Sequence, residues 1–230
     1  EEKKPYNEQY DELYAACQKK LYSGGYKIYT TIDMDKQKKL QSTVDDTLAG
    51  FTEKNDDGTY NMQGAAVTID NNTGYVVAIV GGRDQDFNSY TLNRAFQSHR
   101  QPGSSIKPLI VYTPAFERGY DPNTIVDDHK FEGGPSNATN TYAGKIPLRY
   151  AVAKSLNTVA WQVYEQVTPK VGLQYLKNMN FSSIVKDDYT LATSLGGFTK
   201  GVSPLEMASA YAALAVSYTH LRAHETVLDL

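Results

Sequence analysis

The sequence predicts a mixed α+β fold around one core, with an early β-hairpin and a helical second half. Three features carry that expectation. Two short stretches, Gln63 to Ile69 and Tyr75 to Val80, flank the turn Asp70-Asn71-Asn72-Thr73-Gly74, as in two strands of a hairpin. From residue 104 onward the apolar residues cluster instead in runs of helical length, most clearly over 104–116 and 204–215. The chain has 230 residues, 40% hydrophobic and 21% charged, which suffices for one substantial core and does not fit a disordered chain.

The elements follow in order. Residues 7–21 read as a charged amphipathic helix closing at Gly24-Gly25, and the alternation through 26–32 reads as a short strand. Asp33 can cap a helix over 35–48, which carries Leu40, Val44 and Leu48 on one face. Asn55 to Gly58 is a turn. In the hairpin, Ala65, Val67 and Ile69 are expected to share a buried face with Val76, Ala78 and Val80. A polar loop over 81–95 leads to Pro102-Gly103 and then to the apolar helix 104–116. Pro108 falls in its first turns, where a missing amide costs little. Residues 120–147 are long, polar and rich in Gly, Pro and Asn, the character of an active-site loop or an edge. Helices are expected at 148–155, 158–166, 171–177 and 204–215, the last apolar on most sides and therefore internal.

Composition excludes several classes of function. A net charge of -3 gives no electrostatic case for nucleic acid. One cysteine, Cys17, permits neither an internal disulfide nor a cysteine-rich metal site. The histidines His99, His129, His220 and His224 are scattered; the last two are four apart but lack the glutamate of a zinc-protease helix. No metal or cofactor is implied. No run approaches the ~18 apolar residues of a membrane span, and Glu1-Glu2-Lys3-Lys4 does not open a secretory leader.

The chemistry concentrates in Ser104-Ser105-Ile106-Lys107, within the run RQPGSSIKP. Serine and lysine three residues apart on a helix share a face, and a hydroxyl beside an amine is an acyl-transfer nucleophile that needs no histidine. Lys107 serves as base only if its pKa is lowered, which its apolar neighbours Ile106, Leu109, Ile110 and Val111 make feasible by burial. The plain alternatives are a helix-capping Ser104 and a protonated surface lysine. Ser155-Leu156-Asn157 offers a second hydroxyl and a carboxamide that converge if the segment turns between helices: Ser155 to relay a proton, Asn157 to bind a substrate carbonyl. Here too the plain alternative is capping. A second Ser-x-x-Lys, Ser183 to Lys186, lacks this context and is read as structural, and Asp127, Asp128 and Glu132 are read as a solvated loop.

These motifs in their surroundings resemble the transpeptidase domain of class A, bifunctional penicillin-binding proteins. Gly25 to Asp33, Gly64 to Asp70 with Thr73-Gly74, Asn93-Arg94-Ala95, Arg100 to Pro108, Leu148 to Thr158 and Gly201 to Ala208 all carry the resemblance, over roughly residues 22–216. It implies the β-lactamase/transpeptidase-like fold, an antiparallel five-stranded sheet flanked by helices. It implies that Ser104 is acylated, that Lys107 is its general base, and that Ser155 and Asn157 face them across the cleft. The implied activity is D,D-transpeptidation: the terminal D-alanine of a D-Ala-D-Ala stem peptide leaves, and the acyl group passes to an amine on a neighbouring strand. Peptidoglycan stem peptides are then substrates, β-lactams covalent inhibitors, and a cell-wall synthesis complex the partner. The implied location of the parent is the extracytoplasmic face of a bacterial membrane. A D,D-carboxypeptidase, a β-lactamase-like hydrolase and a non-catalytic wall-binding domain remain as alternatives.

No Lys-Thr-Gly or Lys-Ser-Gly, the family's third motif, occurs in the sequence. The fold is therefore expected to be incomplete at its C-terminal edge. The implied division is a linker helix after an upstream glycosyltransferase region over 1–24, a partial transpeptidase domain over 25–216, and a spurious tail over 217–230 that resembles translated adapter sequence.

Overall fold

A computed structural model of the chain describes residues 5–84 and 91–216; the expectations for 217–230, including His220 and His224, lie outside the described residues. Two compact units divide at Thr31 and Ile32. The first holds helix α1 (Tyr6–Ser23), longer at both ends than expected and with no buried residue. The strand expected over 26–32 does not form. Alternation supplies strand propensity, but a strand also needs a regular ladder to join, and the backbone over 26–32 takes no strand assignment.

The second unit begins with a cap. Asp33 accepts hydrogen bonds from the Asp35 and Lys36 amides at 3.0 and 3.2 Å and starts α2 (Met34–Leu48). Strands β1 (Ala66–Ile69) and β2 (Val76–Val80) then form the expected antiparallel hairpin. Its register differs from expectation: Ala66 lies opposite Val80 and Thr68 opposite Ala78, and a bulge between Thr68 and Ile69 brings Ile69 opposite Val76. α2 packs on β2 and α7 (Pro204–Ala215) on β1. The outer edge of β2 is satisfied by α2, because the Gln37 carboxamide accepts from the Ile79 amide and donates to its carbonyl at 2.8 and 2.9 Å.

The core lies behind the segment that follows Pro102. A single α-helix was expected over 104–116; the chain instead forms a 3-10 turn (Gly103–Ile106), a π turn (Pro108–Tyr112) and then α3 (Thr113–Glu117). Pro108 has no amide to give the Ser104 carbonyl, so the Lys107 amide takes it in a tighter turn, and the Thr113 amide reaches back to the Pro108 carbonyl in a wider one. Ile106, Leu109, Ile110 and Val111 from this segment are fully buried. They pack with Val159, Val163 and Tyr164 of α5 (Asn157–Val167) and Leu173 and Leu176 of α6 (Pro169–Asn178). Each such aliphatic side chain contributes about 2 kcal/mol by leaving water.

The region 120–147 is not the structureless loop expected. It contains a second hairpin, β3 (Ile125–Asp128) paired with β4 (Gly144–Pro147), which leads into α4 (Leu148–Ala153). α7 begins in a capping box: Ser203 Oγ accepts from the Glu206 amide while the Glu206 carboxylate accepts from the Ser203 amide. Among the described residues the hairpins are two separate two-stranded sheets.

Candidate active site

Ser104 sits in the 3-10 turn with its side chain exposed, while Lys107, three residues on, is 1% exposed. In a 3-10 turn residues i and i+3 eclipse, so the hydroxyl-bearing and amine-bearing residues stand directly one above the other. Ser105 spends its hydroxyl on the Pro102 carbonyl at 2.6 Å, and its own carbonyl accepts from the Tyr211 hydroxyl of α7 at 2.7 Å. Ser104 is the serine left facing outward with its hydroxyl uncommitted among the described residues.

The turn is clamped from behind. Gly103 (φ +55°) lies against Gly196 (φ +91°), so close that a Cβ on Gly196 would stand 2.4 Å from the Gly103 amide nitrogen. Arg100 and Val202 exchange backbone hydrogen bonds at 2.9 and 2.8 Å. The Gln101 carboxamide accepts from the Phe198 amide at 2.8 Å and donates to the Phe198 carbonyl. Asp188, also buried, holds this same loop through the Thr199 amide at 2.7 Å.

Lys107 reaches the second motif. Its Nζ donates to the Ser155 carbonyl and the Asn157 Oδ1, both at 2.7 Å, and to Ser155 Oγ at 3.2 Å. No carboxylate is among these partners, and burial pushes the amine down to about 8. The structure thus brings Lys107, Ser155 and Asn157 into one cluster. Ser104 stands beside it on the turn without a hydrogen bond to the lysine.

Ser155 gets there at a backbone cost. After α4 the Leu156 amide bonds the Ala151 carbonyl and the Ser155 amide the Val152 carbonyl, a left-handed helix terminator that usually holds glycine. Ser155 occupies the left-handed position at φ +54°. The turn projects its hydroxyl and carbonyl toward Lys107, the convergence that an unbroken helix forbids.

Asn157 opens α5, and its Nδ2 donates to the Ser136 carbonyl at 2.9 Å, which fixes Oδ1 toward the lysine. Behind it lies a buried polar group that sequence reasoning missed. Asn137 Oδ1 accepts from the Asn157 amide at 2.8 Å, and Asn137 Nδ2 donates to Asp128 Oδ1 at 2.7 Å. Asp128 also accepts from the Thr158 hydroxyl, and from the Ala143 amide at 2.7 Å. Asp128 is therefore no solvated loop carboxylate: it is 1% exposed, while Asp127 and Glu132 are exposed as expected. Burial alone would raise its pKa, but the hydrogen bonds from Thr158, Ala143 and Asn137 outweigh it and hold the carboxyl below its usual range.

The second Ser-x-x-Lys builds no such cluster, since Lys186 is exposed. Arg94 is half-buried and Arg100 exposed, both lining a cleft of about 700 Å³ with Gln101 and Met207 rather than meeting Lys107. Among the described residues no group of histidine, cysteine and acidic side chains could hold a metal ion. Nor is any described helix long and apolar enough to cross a membrane.

Residues 64–224 match the family described as the penicillin binding protein transpeptidase domain. The chain is 35% identical over 216 residues to penicillin-binding protein 4 of Bacillus subtilis, covering 91% of this chain and 33% of that protein. It is 36% identical over 207 residues to penicillin-binding protein 1A/1B of the same organism, covering 87% of this chain and 22% of that one. The chain thus spans 33% or less of the length of these two relatives. Among solved structures, PonA1 of Mycobacterium tuberculosis in complex with penicillin V superposes with a TM-score of 0.70 at 24% identity, over 91% of this chain and 56% of that one. Penicillin-binding protein A of M. tuberculosis, as an imipenem acyl-enzyme, gives a TM-score of 0.67 at 17% identity, over 89% of this chain and 56% of that one. This likeness shows the fold, the mixed α+β architecture of β-lactamase/transpeptidase domains.

Proposed function

The chain belongs to the penicillin-binding protein transpeptidase domain family, and from that premise we propose that it is a serine-type peptidoglycan D,D-transpeptidase working through an acyl-enzyme on Ser104. The buried, uncharged surroundings of the Lys107 amine, on the same turn as an exposed serine, carry the reading. A pKa of about 8 leaves about a tenth of the amine neutral at pH 7.

The steps follow from the atoms at hand. Neutral Lys107 takes the Ser104 proton as Oγ attacks the carbonyl of the D-Ala-D-Ala bond. The C–N bond then breaks, and the leaving D-alanine amine receives a proton through Ser155, which lies on Lys107. Asn157, oriented by Ser136, offers its amide to the substrate backbone. An amine from a neighbouring stem peptide attacks the ester, Ser104 recovers its proton, and the cross-link is made. A β-lactam follows the first half and stops, because its leaving group stays tethered. Action at the extracytoplasmic membrane face within a wall-synthesis complex, as part of a longer chain, belongs to the same proposal.

Intact mass after incubation with excess benzylpenicillin tests it. One adduct on the parent and none on Ser104→Ala is the expected result; no adduct on the parent, or an adduct on the variant, overturns the assignment of Ser104. Ser155→Gly separates strain from chemistry in the same assay. It should raise stability by up to about 1 kcal/mol by relieving the left-handed serine, and slow labelling by about a hundredfold through loss of the relay hydroxyl. A fall in unfolding temperature, or unchanged labelling, would contradict one half each.

A further inference from the structure

α5 begins at a residue that cannot cap it. Its N-cap is Leu156, and no side chain of its own sequence accepts from its first amides. That acceptor comes instead from Asn137, twenty residues upstream, whose Oδ1 takes the amides of Asn157 at 2.8 Å and Thr158 at 3.3 Å. Asn137 is 4% exposed and its polar capacity is fully used, since Nδ2 donates to the Thr141 carbonyl at 3.0 Å as well as to Asp128. The carboxylate of Asp128 fixes which way round the carboxamide sits, because it can only accept. Thr158, fully buried, closes the group by donating to that carboxylate from α5 itself.

This arrangement tethers the first residue of α5 at two points. The backbone of Asn157 hangs from Asn137, its side-chain amide hangs from the carbonyl of Ser136, the neighbouring residue, and its remaining polar atom receives Lys107. Two residues earlier, Ser155 meets the same amine from a strained backbone that other contacts must hold in place. We propose that Asn137, locked by Asp128, is the positioning residue for the second motif: it fixes the start of α5, and so the places of Asn157 and Ser155 around the Lys107 amine. The claim rests on the reading of Lys107 and Ser155 as proton carriers, and adds to it the residues that set their geometry. Neither Asn137 nor Asp128 touches the reacting atoms.

The test uses the full chain and benzylpenicillin, with the non-covalent dissociation constant and the first-order acylation rate measured separately. Asn137→Ala should lower the acylation rate by about a hundredfold, as a displacement near 1 Å does, with the dissociation constant within about threefold. A rate within about threefold of the parent, or a loss falling wholly on the dissociation constant, overturns the proposal. Asn137→Asp keeps an acceptor for the two amides but sets a carboxylate against both Asp128 and the Thr141 carbonyl, and should be as slow; a rate within about threefold of the parent in this variant also overturns the proposal.

Hydrogen exchange supplies a readout that needs no acylation. The amides of Asn157 and Thr158 should exchange at least about tenfold faster in Asn137→Ala while α6 keeps its protection. If the parent takes no penicillin, the assignment of Ser104 fails by itself, and the positioning claim is decided by these two amides; unchanged exchange defeats it.

Discussion

Lys107→Met should cut the rate of Ser104 acylation about a thousandfold, the typical worth of a positioned general base, while leaving the fold intact. Methionine fills the stem of the buried lysine without its charge, and of the partners it abandons Ser155 is exposed and Asn157 half-buried, so water can replace the amine. The pH dependence sharpens the expectation. With the amine at about 8, the parental rate should climb through pH 7 to 9 as Lys107 loses its proton, and the residual rate of the variant should lack that limb. Stability carries the same signature. Burial holds the folded amine at about 8 and the unfolded one keeps the ordinary lysine value of 10.5, so between these values the unfolded chain binds more protons and stability rises with pH. The difference in unfolding free energy between parent and Lys107→Met should therefore move in the parent's favour from pH 8 to 10. A flat difference would mean that Lys107 titrates like an ordinary surface lysine, and a labelling rate close to the parent's would remove it from the reaction.

Gly196→Ala should be the most damaging single methyl group near the site. The added carbon would lie 2.4 to 2.5 Å from three backbone atoms of Gly103, and neither backbone can move without shifting the serine turn. Gly58→Ala provides the control. Gly58 has a similar left-handed backbone (φ +83° against +91°), but nothing lies within 4 Å of its missing Cβ, so its variant reports backbone strain alone. We expect about 1 kcal/mol for Gly58→Ala and about 3 kcal/mol or more for Gly196→Ala. The second corresponds to an unfolding midpoint lower by about 10 °C, together with acylation slowed about a hundredfold by displacement of Ser104. Equal melting points for the two variants would show that the contact with Gly103 does not hold the turn.

The features legible in the sequence were those written locally. The Asp33 cap, the hairpin turn at 70–74 and the limits of α7 depend on a few consecutive residues, and the structure places them as expected. Of the convergence of Lys107 with Ser155 and Asn157, 48 and 50 residues away, only the turn at Ser155 is local; the meeting itself was expected from the family resemblance. What escaped was written at a distance. Asp128 is buried because Asn137 and Thr158, nine and thirty residues away, come to meet it, and no periodicity in 120–147 announces that meeting. The hairpin β3–β4 was hidden by the Gly, Pro and Asn of its long connection. The strand expected at 26–32 failed for the opposite reason, since alternation is local and pairing is not. Pro108 was read as harmless near a helix start, yet its missing amide converts the helix around it into two other kinds.

Those two kinds of turn wind in opposite senses relative to an α-helix. The 3-10 segment advances about 20° more per residue than an α-helix does, and the π segment after Pro108 advances less, so the excess rotation is largely unwound before α3 begins. The helix thus acts as a phase shifter: Ser104 and Lys107 are rotated into line at one end, while Leu109, Ile110 and Val111 keep their bearing on α5 and α6 at the other. Reactive alignment and core packing, which a uniform helix would couple through a single repeat, become separately adjustable along one short stretch of chain.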